Sequence, residues 1–237
     1  AFYKTKINSV GIFQNVVDIE EKAFHETDFF NNAAGGFVYI GKVLYYDKSE
    51  GGGYTADTRI VSIAPYAFEI SQSPTLDLKG FSNLKYIERF AFANNSSIVE
   101  VMLPASLSDI KDSAFKGSSI KKINLSECSN ISSIGQYAFA DCKNLDTITF
   151  ATFTSTDDMA VKLEIKDYAF MGCTALVTLN LPENLGTLGS YAFKGCKALT
   201  TVNFVANAKF ITPETTGGEE PTTAAYDPAG LVTTIGD

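Results

Sequence analysis

Tryptophan is absent from these 237 residues, and histidine occurs once, at His25. A single histidine with no second histidine or cysteine pair beside it is a poor basis for a metal centre. A Ser-His-Asp triad would have to be built around that one ring, and no G-x-S-x-G elbow accompanies it. We read His25 as a surface residue. Cysteine is scarce as well: four residues are too few to staple a chain of this length. No window holds 18 apolar residues, so no membrane span is expected. The opening "AFYKTKINSV" lacks a basic leader and a long apolar run, so it does not read as a signal peptide. Basic residues are outnumbered 19 to 27, and a net charge of −8 excludes the cationic footprint that nucleic-acid binding requires.

Phosphate loops are missing too. "GGG" at 51–53 and "TGG" at 216–218 lack the following Lys-Ser/Thr. Asp157 with Asp158, and Glu219 with Glu220, stand in loop-like stretches and read as solvated. No cofactor, metal or catalytic residue is expected, and the chain does not read as an enzyme. At 45% apolar and 19% charged residues, the composition is that of a globular protein rather than a disordered one.

What the chain has is a repeat. The dipeptide Ala-Phe recurs with its alanine at 1, 23, 67, 91, 114, 138, 169 and 192. The spacing is about 23 residues, with one doubled gap and one gap of 31. Four residues before the alanine stand Ile19, Ile63, Ile87, Ile110, Ile134, Ile165 and Leu188. After it comes L-x-x-L-x-L, as in Leu145, Ile148, Phe150 and in Leu176, Leu179, Leu181. The final alternation predicts a short strand. Ile134, Ala138 and Cys142 lie four apart, which predicts a helical turn before each strand. One such unit cannot bury its apolar face alone, but stacked coils about 4.8 Å apart can. The expected fold is therefore an α/β solenoid: a right-handed superhelix with one short parallel strand and one helical turn per repeat.

"SIGQYAFADCKNLDTITF" and "LGSYAFKGCKALTTVNFV" resemble the BspA-type leucine-rich repeat, whose members read I-x-x-Y-A-F-x-x-C-x-x-L-x-x-I-x-L-P. Tyr137 to Phe139, Cys142, Leu145 and Ile148 match it, as do Tyr168 to Cys173 and Leu176 to Pro182. The resemblance covers roughly residues 1–204. It implies display at a bacterial cell surface, or secretion, and adhesion to a protein or a glycan.

The pattern departs in places. "FVYIGKVLYYDK" reads as a β-hairpin, 36–48, inserted into the solenoid with Gly41-Lys42 at its turn. Residues 205–230, rich in Thr, Pro, Gly and Glu, read as a long loop. We take 1–237 as a single solenoid. Both ends break off inside the repeat, so we read the chain as a segment of a longer protein.

Cys142, Cys173 and Cys196 share one repeat position, with Ser118 and Asn95 in earlier coils. They could form a metal site or a disulfide. Stacked β-carbons about 4.8 Å apart are too distant for a disulfide, so buried apolar filling is the better reading. Cys128, in "SECSN", reads as exposed. Tyr66, Tyr137, Tyr168 and Tyr191, with Phe90 in register, form an aromatic ladder that either packs on itself or offers a sugar platform. Lys111, Lys116, Lys121 and Lys122 read as a solubilising basic patch or an anion site.

The outward positions of the strands are the candidate site: Glu100, Met102; Lys121, Lys122, Asn124; Asp146, Thr147, Thr149; Thr178, Asn180; and Thr200, Thr201, Asn203. A solenoid gathers them on one extended face, where repeat proteins bind partners. Two readings remain open, a binding or adhesion module using that face and a passive spacer.

Overall fold

The computed structural model describes residues 1–11, 15–49, 54–152 and 161–204. Each coil places two strands and a chain of turns around one core. The first strand ends at the isoleucine four residues before each alanine. Ser62–Ile63, Tyr86–Ile87, Asp109–Ile110 and Ser133–Ile134 pair in parallel, and Leu163–Ile165 and Leu185–Leu188 continue the row. Val43–Asp47 starts it, paired in parallel with Ser62–Ile63 and antiparallel with Phe37–Ile40. The hairpin is thus the first two strands of an eight-stranded sheet.

The second wall is made by the longer alternating runs. Thr75–Asp77, Glu100–Met102, Lys122–Leu125 and Thr147–Phe150 form one parallel four-stranded sheet. Thr178–Leu181 and Thr201–Phe204 form a separate pair. Each repeat therefore carries two strands, not the single one expected.

The helical turn is also corrected. Ala138 N donates to Gly135 O at 3.1 Å, Cys142 N to Phe139 O at 3.2 Å, and Leu145 N to Cys142 O at 3.0 Å. These are successive tight turns. The third residues of the first two, Tyr137 and Asp141, have φ of +56° and +59°. A left-handed residue every four positions stops an α-helix and builds turns of type II geometry instead. Tyr66, Phe90, Ser113, Tyr168 and Tyr191 repeat the first positive φ, and Asn94, Gly117, Gly172 and Gly195 the second. Among the described residues the one α-helix is Asp28–Asn32, whose Phe30 N donates to the capping Thr27 Oγ1 at 3.1 Å.

Turn backbones freed from helical pairing bond to the next coil. Phe92 N donates to Ala114 O, Phe115 N to Ala138 O, Phe139 N to Ala169 O and Phe170 N to Ala192 O, each at 2.7 Å. Asn94, Gly117, Asp141 and Gly172 donate in the same sense, from the earlier coil to the later.

Inside, the phenylalanines stack. Phe68, Phe92, Phe115, Phe139, Phe170 and Phe193 lie 4.5 to 5.1 Å apart between centroids, with neighbouring planes tilted by 10° or less. Each fully buried ring contributes roughly 1.5–3 kcal/mol, and the ladder supplies one per coil. The cysteines beside it are buried and unpaired by disulfides. Cys142 Sγ donates to Phe115 O at 3.0 Å, and Cys173 and Cys196 repeat the contact to Phe139 and Phe170 at 3.2 Å. Asn95 Nδ2 does the same to Phe68 O at 2.7 Å.

Cys128 is buried, contrary to expectation. It closes a tight turn onto Leu125, three residues back, as Phe81 does onto Leu78, and its Sγ donates to Pro104 O at 3.4 Å. His25 is half-buried rather than free on the surface. Its ring stacks on Phe30 at 4.5 Å and meets Tyr46 edge-on at 4.9 Å, and Nδ1 lies 3.0 Å from Tyr45 Oη. The helix and the hairpin close over the ring, which desolvates it. Residues 205–230 and the Asp157, Asp158, Glu219 and Glu220 carboxylates lie outside the described residues.

Candidate binding face

Alternation along the longer strands sends Ile123, Leu125, Ile148, Leu179 and Leu181 inward and leaves their neighbours outside. Parallel register then lines the outward residues up. Thr75, Glu100, Lys122 and Thr147 form one row, and Asp77, Met102, Asn124 and Thr149 the next. Across the second sheet Thr178 faces Thr201, and Asn203 Nδ2 donates to Asn180 Oδ1 at 2.7 Å. Glu100, Lys121, Lys122, Asn124, Thr147, Thr149, Thr178, Asn180, Thr200 and Asn203 are exposed, while Met102, Asp146 and Thr201 are half-buried.

The face is electrically mixed. Lys121 Nζ lies 3.7 Å from Oδ2 of Asp146, which immediately precedes the next strand, and Lys79 Nζ lies 2.8 Å from Glu127 Oε1. The second pair spans the intervening coil, because Lys79 and Glu127 follow strands two apart. Such exposed pairs contribute about 0–1 kcal/mol each. Beside the Lys79–Glu127 bridge lies a shallow depression of about 140 Å³, lined by Glu100, Met102, Lys122 and Asn124 among others. Asn124 Oδ1 accepts from Ser126 N at 3.0 Å.

The four lysines read as one patch do not converge. Lys111 lies 3.5 Å from Asp109 and over the Tyr86 ring, and Lys116 lies over Tyr137. Lys121 and Lys122 belong to the strand wall. The tyrosine ladder is split as well, because Ser113 stands where a ring would continue it. Tyr66 stacks on Phe90 at 5.3 Å, Tyr137 on Tyr168 at 4.9 Å, and Tyr168 on Tyr191 at 5.3 Å. Each inner ring face is covered by its neighbour, while Tyr191 at the end of the ladder remains 58% exposed. Tyr45 and Tyr46 of the hairpin are buried, and burial pushes both phenols up to about 12.

No catalytic arrangement stands out among the described residues. No group of three or more His, Cys, Asp or Glu is placed to hold a metal ion there. Three of the four thiols are muted rather than activated: burial pushes Cys128 and Cys142 up to about 11. Cys173, hydrogen bonded by the neighbouring Cys196 thiol and desolvated, is also held above the ordinary thiol range, while the same hydrogen bond holds Cys196 below it. Among the described residues no helix is long and apolar enough to cross a membrane.

Among solved structures, a leucine-rich repeat protein from Bacteroides capillosus is 19% identical, with a TM-score of 0.40, covering 61% of this chain and 86% of that one. The pneumococcal vaccine antigen PcpA is 22% identical, with a TM-score of 0.42, covering 76% of this chain. The matched region spans only 36% of the antigen. A leucine-rich cell surface protein from Faecalibacterium prausnitzii is 18% identical, with a TM-score of 0.39, over 70% of this chain and 55% of that one. No curated protein matches the chain. The family described as BspA type leucine rich repeat region matches in six copies, over residues 1–79, 61–163 and 160–216. With that match running through nearly its whole length, the chain belongs to the BspA-type leucine-rich repeat family.

Proposed function

We propose that this chain is a non-enzymatic binding module of a secreted or surface-displayed protein, recognising a protein or a glycan through the strand face. The reading is supported by one observation above the others. The outward residues stand in register over four consecutive strands, Thr75 to Thr147, and keep donors, acceptors and both charge signs in contact with solvent. A surface of that kind recognises by area, through many modest contacts spread over several coils. The buried thiols and the histidine packed against the hairpin leave little for chemistry on the same wall.

The test begins with an array of glycans and extracellular-matrix proteins probed with this chain. Any hit is then titrated against the triple variant Lys121→Glu, Lys122→Glu, Asp146→Lys. Binding should weaken at least about tenfold, the effect of roughly 1.4 kcal/mol, while the melting temperature stays nearly unchanged. A chain that captures nothing on the array is a spacer. A ligand whose binding survives the triple change sits elsewhere on the molecule.

A further inference from the structure

The strand wall is not continuous. Thr147–Phe150 is the last strand of the four-stranded sheet, and Thr178–Leu181 opens the two-stranded one. The two strands are neighbours in the stack, yet no ladder joins their backbones. Between the corresponding alanines, Ala138 and Ala169, the chain runs 31 residues rather than the usual 23 or 24.

The inward side chains register the break on its four-stranded side only, since Leu179 and Leu181 across it are 1% and 2% exposed. Ile148 and Phe150 retain 4% and 7% exposure, against 1% and 0% for Ile123 and Leu125 one coil earlier. The opposite side of the same two coils is fully tied. Ser133–Ile134 pairs with Leu163–Ile165, and Phe139 N donates to Ala169 O at 2.7 Å. The Phe139 and Phe170 rings stack at 5.0 Å, and Tyr137 and Tyr168 at 4.9 Å.

We propose that the solenoid hinges at this seam, opening on the strand wall with the turn side as its axis. Backbone ladders resist separation, and here one wall has lost them while the other has kept all of them. The hinge divides the strand wall by chemistry as well as by geometry. Glu100, Lys121, Lys122 and Asp146 lie on its four-stranded side, whereas the two-stranded side carries the uncharged Thr178, Asn180, Thr200, Thr201 and Asn203. Opening therefore changes the angle between a charged plate and a neutral one. The hinge stands whether or not the wall binds anything.

Spin-label distances test it in the whole chain. The four native thiols are buried, so surface cysteines take the label in the folded protein. The pair Glu100→Cys with Thr200→Cys crosses the seam on the strand wall, and Arg89→Cys with Ser190→Cys crosses it on the turn side. The strand-wall distribution should be about twofold broader than the turn-side one, as expected for a collective hinge motion. Hydrogen exchange on the unmodified protein gives a second reading. Amides of 178–181 should exchange about tenfold faster than those of 122–125, the difference expected for a locally opening ladder. Equal widths on the two sides, or equal protection of the two strands, would overturn the hinge. So would broadening of both label pairs, which would mean a loose unit rather than an axis.

Discussion

A β-carbon placed on Gly135 would lie 2.5 Å from the backbone nitrogen of Asp112 in the preceding coil. Asp112 in turn accepts a hydrogen bond from Gln136 N through Oδ1 at 2.8 Å. The close approach and the side-chain bond form one device, and it recurs where Asp167 Oδ1 accepts from Ser190 N at 2.7 Å beside Gly189. Gly135→Ala should therefore destabilise by about 1–3 kcal/mol or more, because the clash is with backbone that cannot step aside. At Gly186 the nearest atom is Lys162 Cβ at 3.0 Å and the nearest backbone atom is Leu163 O at 3.6 Å, so Gly186→Ala needs a smaller shift and should cost less. Paired chemical denaturation curves check the order, and equal costs would remove the steric explanation.

The phenylalanine ladder makes a sharper contrast. Phe139 is fully buried between Phe115 and Phe170, so Phe139→Ala should cost about 3–5 kcal/mol. Thr147 is exposed on the strand wall, and Thr147→Ala should change stability by less than about 0.5 kcal/mol. If thermal or denaturant unfolding gives similar costs, the inward and outward faces are assigned the wrong way round.

Thiol chemistry follows from burial. In native buffer at neutral pH, a chromogenic disulfide reagent should react slowly with all four cysteines, since they are buried and Cys128 and Cys142 are pushed up to about 11. In denaturant without reductant, all four should titrate at once. Fewer than four would reveal a bond that the folded geometry does not contain.

The enclosed histidine sets a pH dependence. Burial, and then the Lys22 charge, lowers its pKa from the ordinary 6.5, with Glu26 and Glu21 pulling the other way. The unfolded chain thus takes up the proton more readily than the folded one. The stability contributed by the neutral ring is complete above about pH 6.5 and is lost as pH falls through the folded value. The melting temperature should decline on acidification below that point, and His25→Asn should flatten this part of the profile. Parallel profiles for the two proteins would exclude the histidine as the cause.

The period, the buried ladder and the outward rows were legible in the sequence because each is a local pattern repeated many times. The turns were not. Ile134, Ala138 and Cys142 have the spacing of a helix face, and a string of turns with one left-handed residue in four has the same spacing. Gly117, Gly172 and Gly195 carried a hint, since glycine readily takes a positive φ, but Tyr137 and Asp141 hid it. Cys128 could have been found by aligning it with Phe81 rather than with the other cysteines. His25 could not, because Tyr45 and Tyr46 reach it from a hairpin some twenty residues away. The break in the strand wall was written only as an added length, without its effect on pairing.

The turn ladder has a direction. From Phe92 to Gly172 its amides point toward the later coil and its carbonyls toward the earlier one. Whatever lies against the turns at one end of the stack is met by donors, and at the other end by acceptors. Two copies brought together by like ends would set donor against donor or acceptor against acceptor along that edge, at a cost in unmet hydrogen bonds. Copies brought together by unlike ends would continue the ladder. The turn edge is thus polar along its length, and this polarity resides in the main chain, where no side-chain substitution can reverse it.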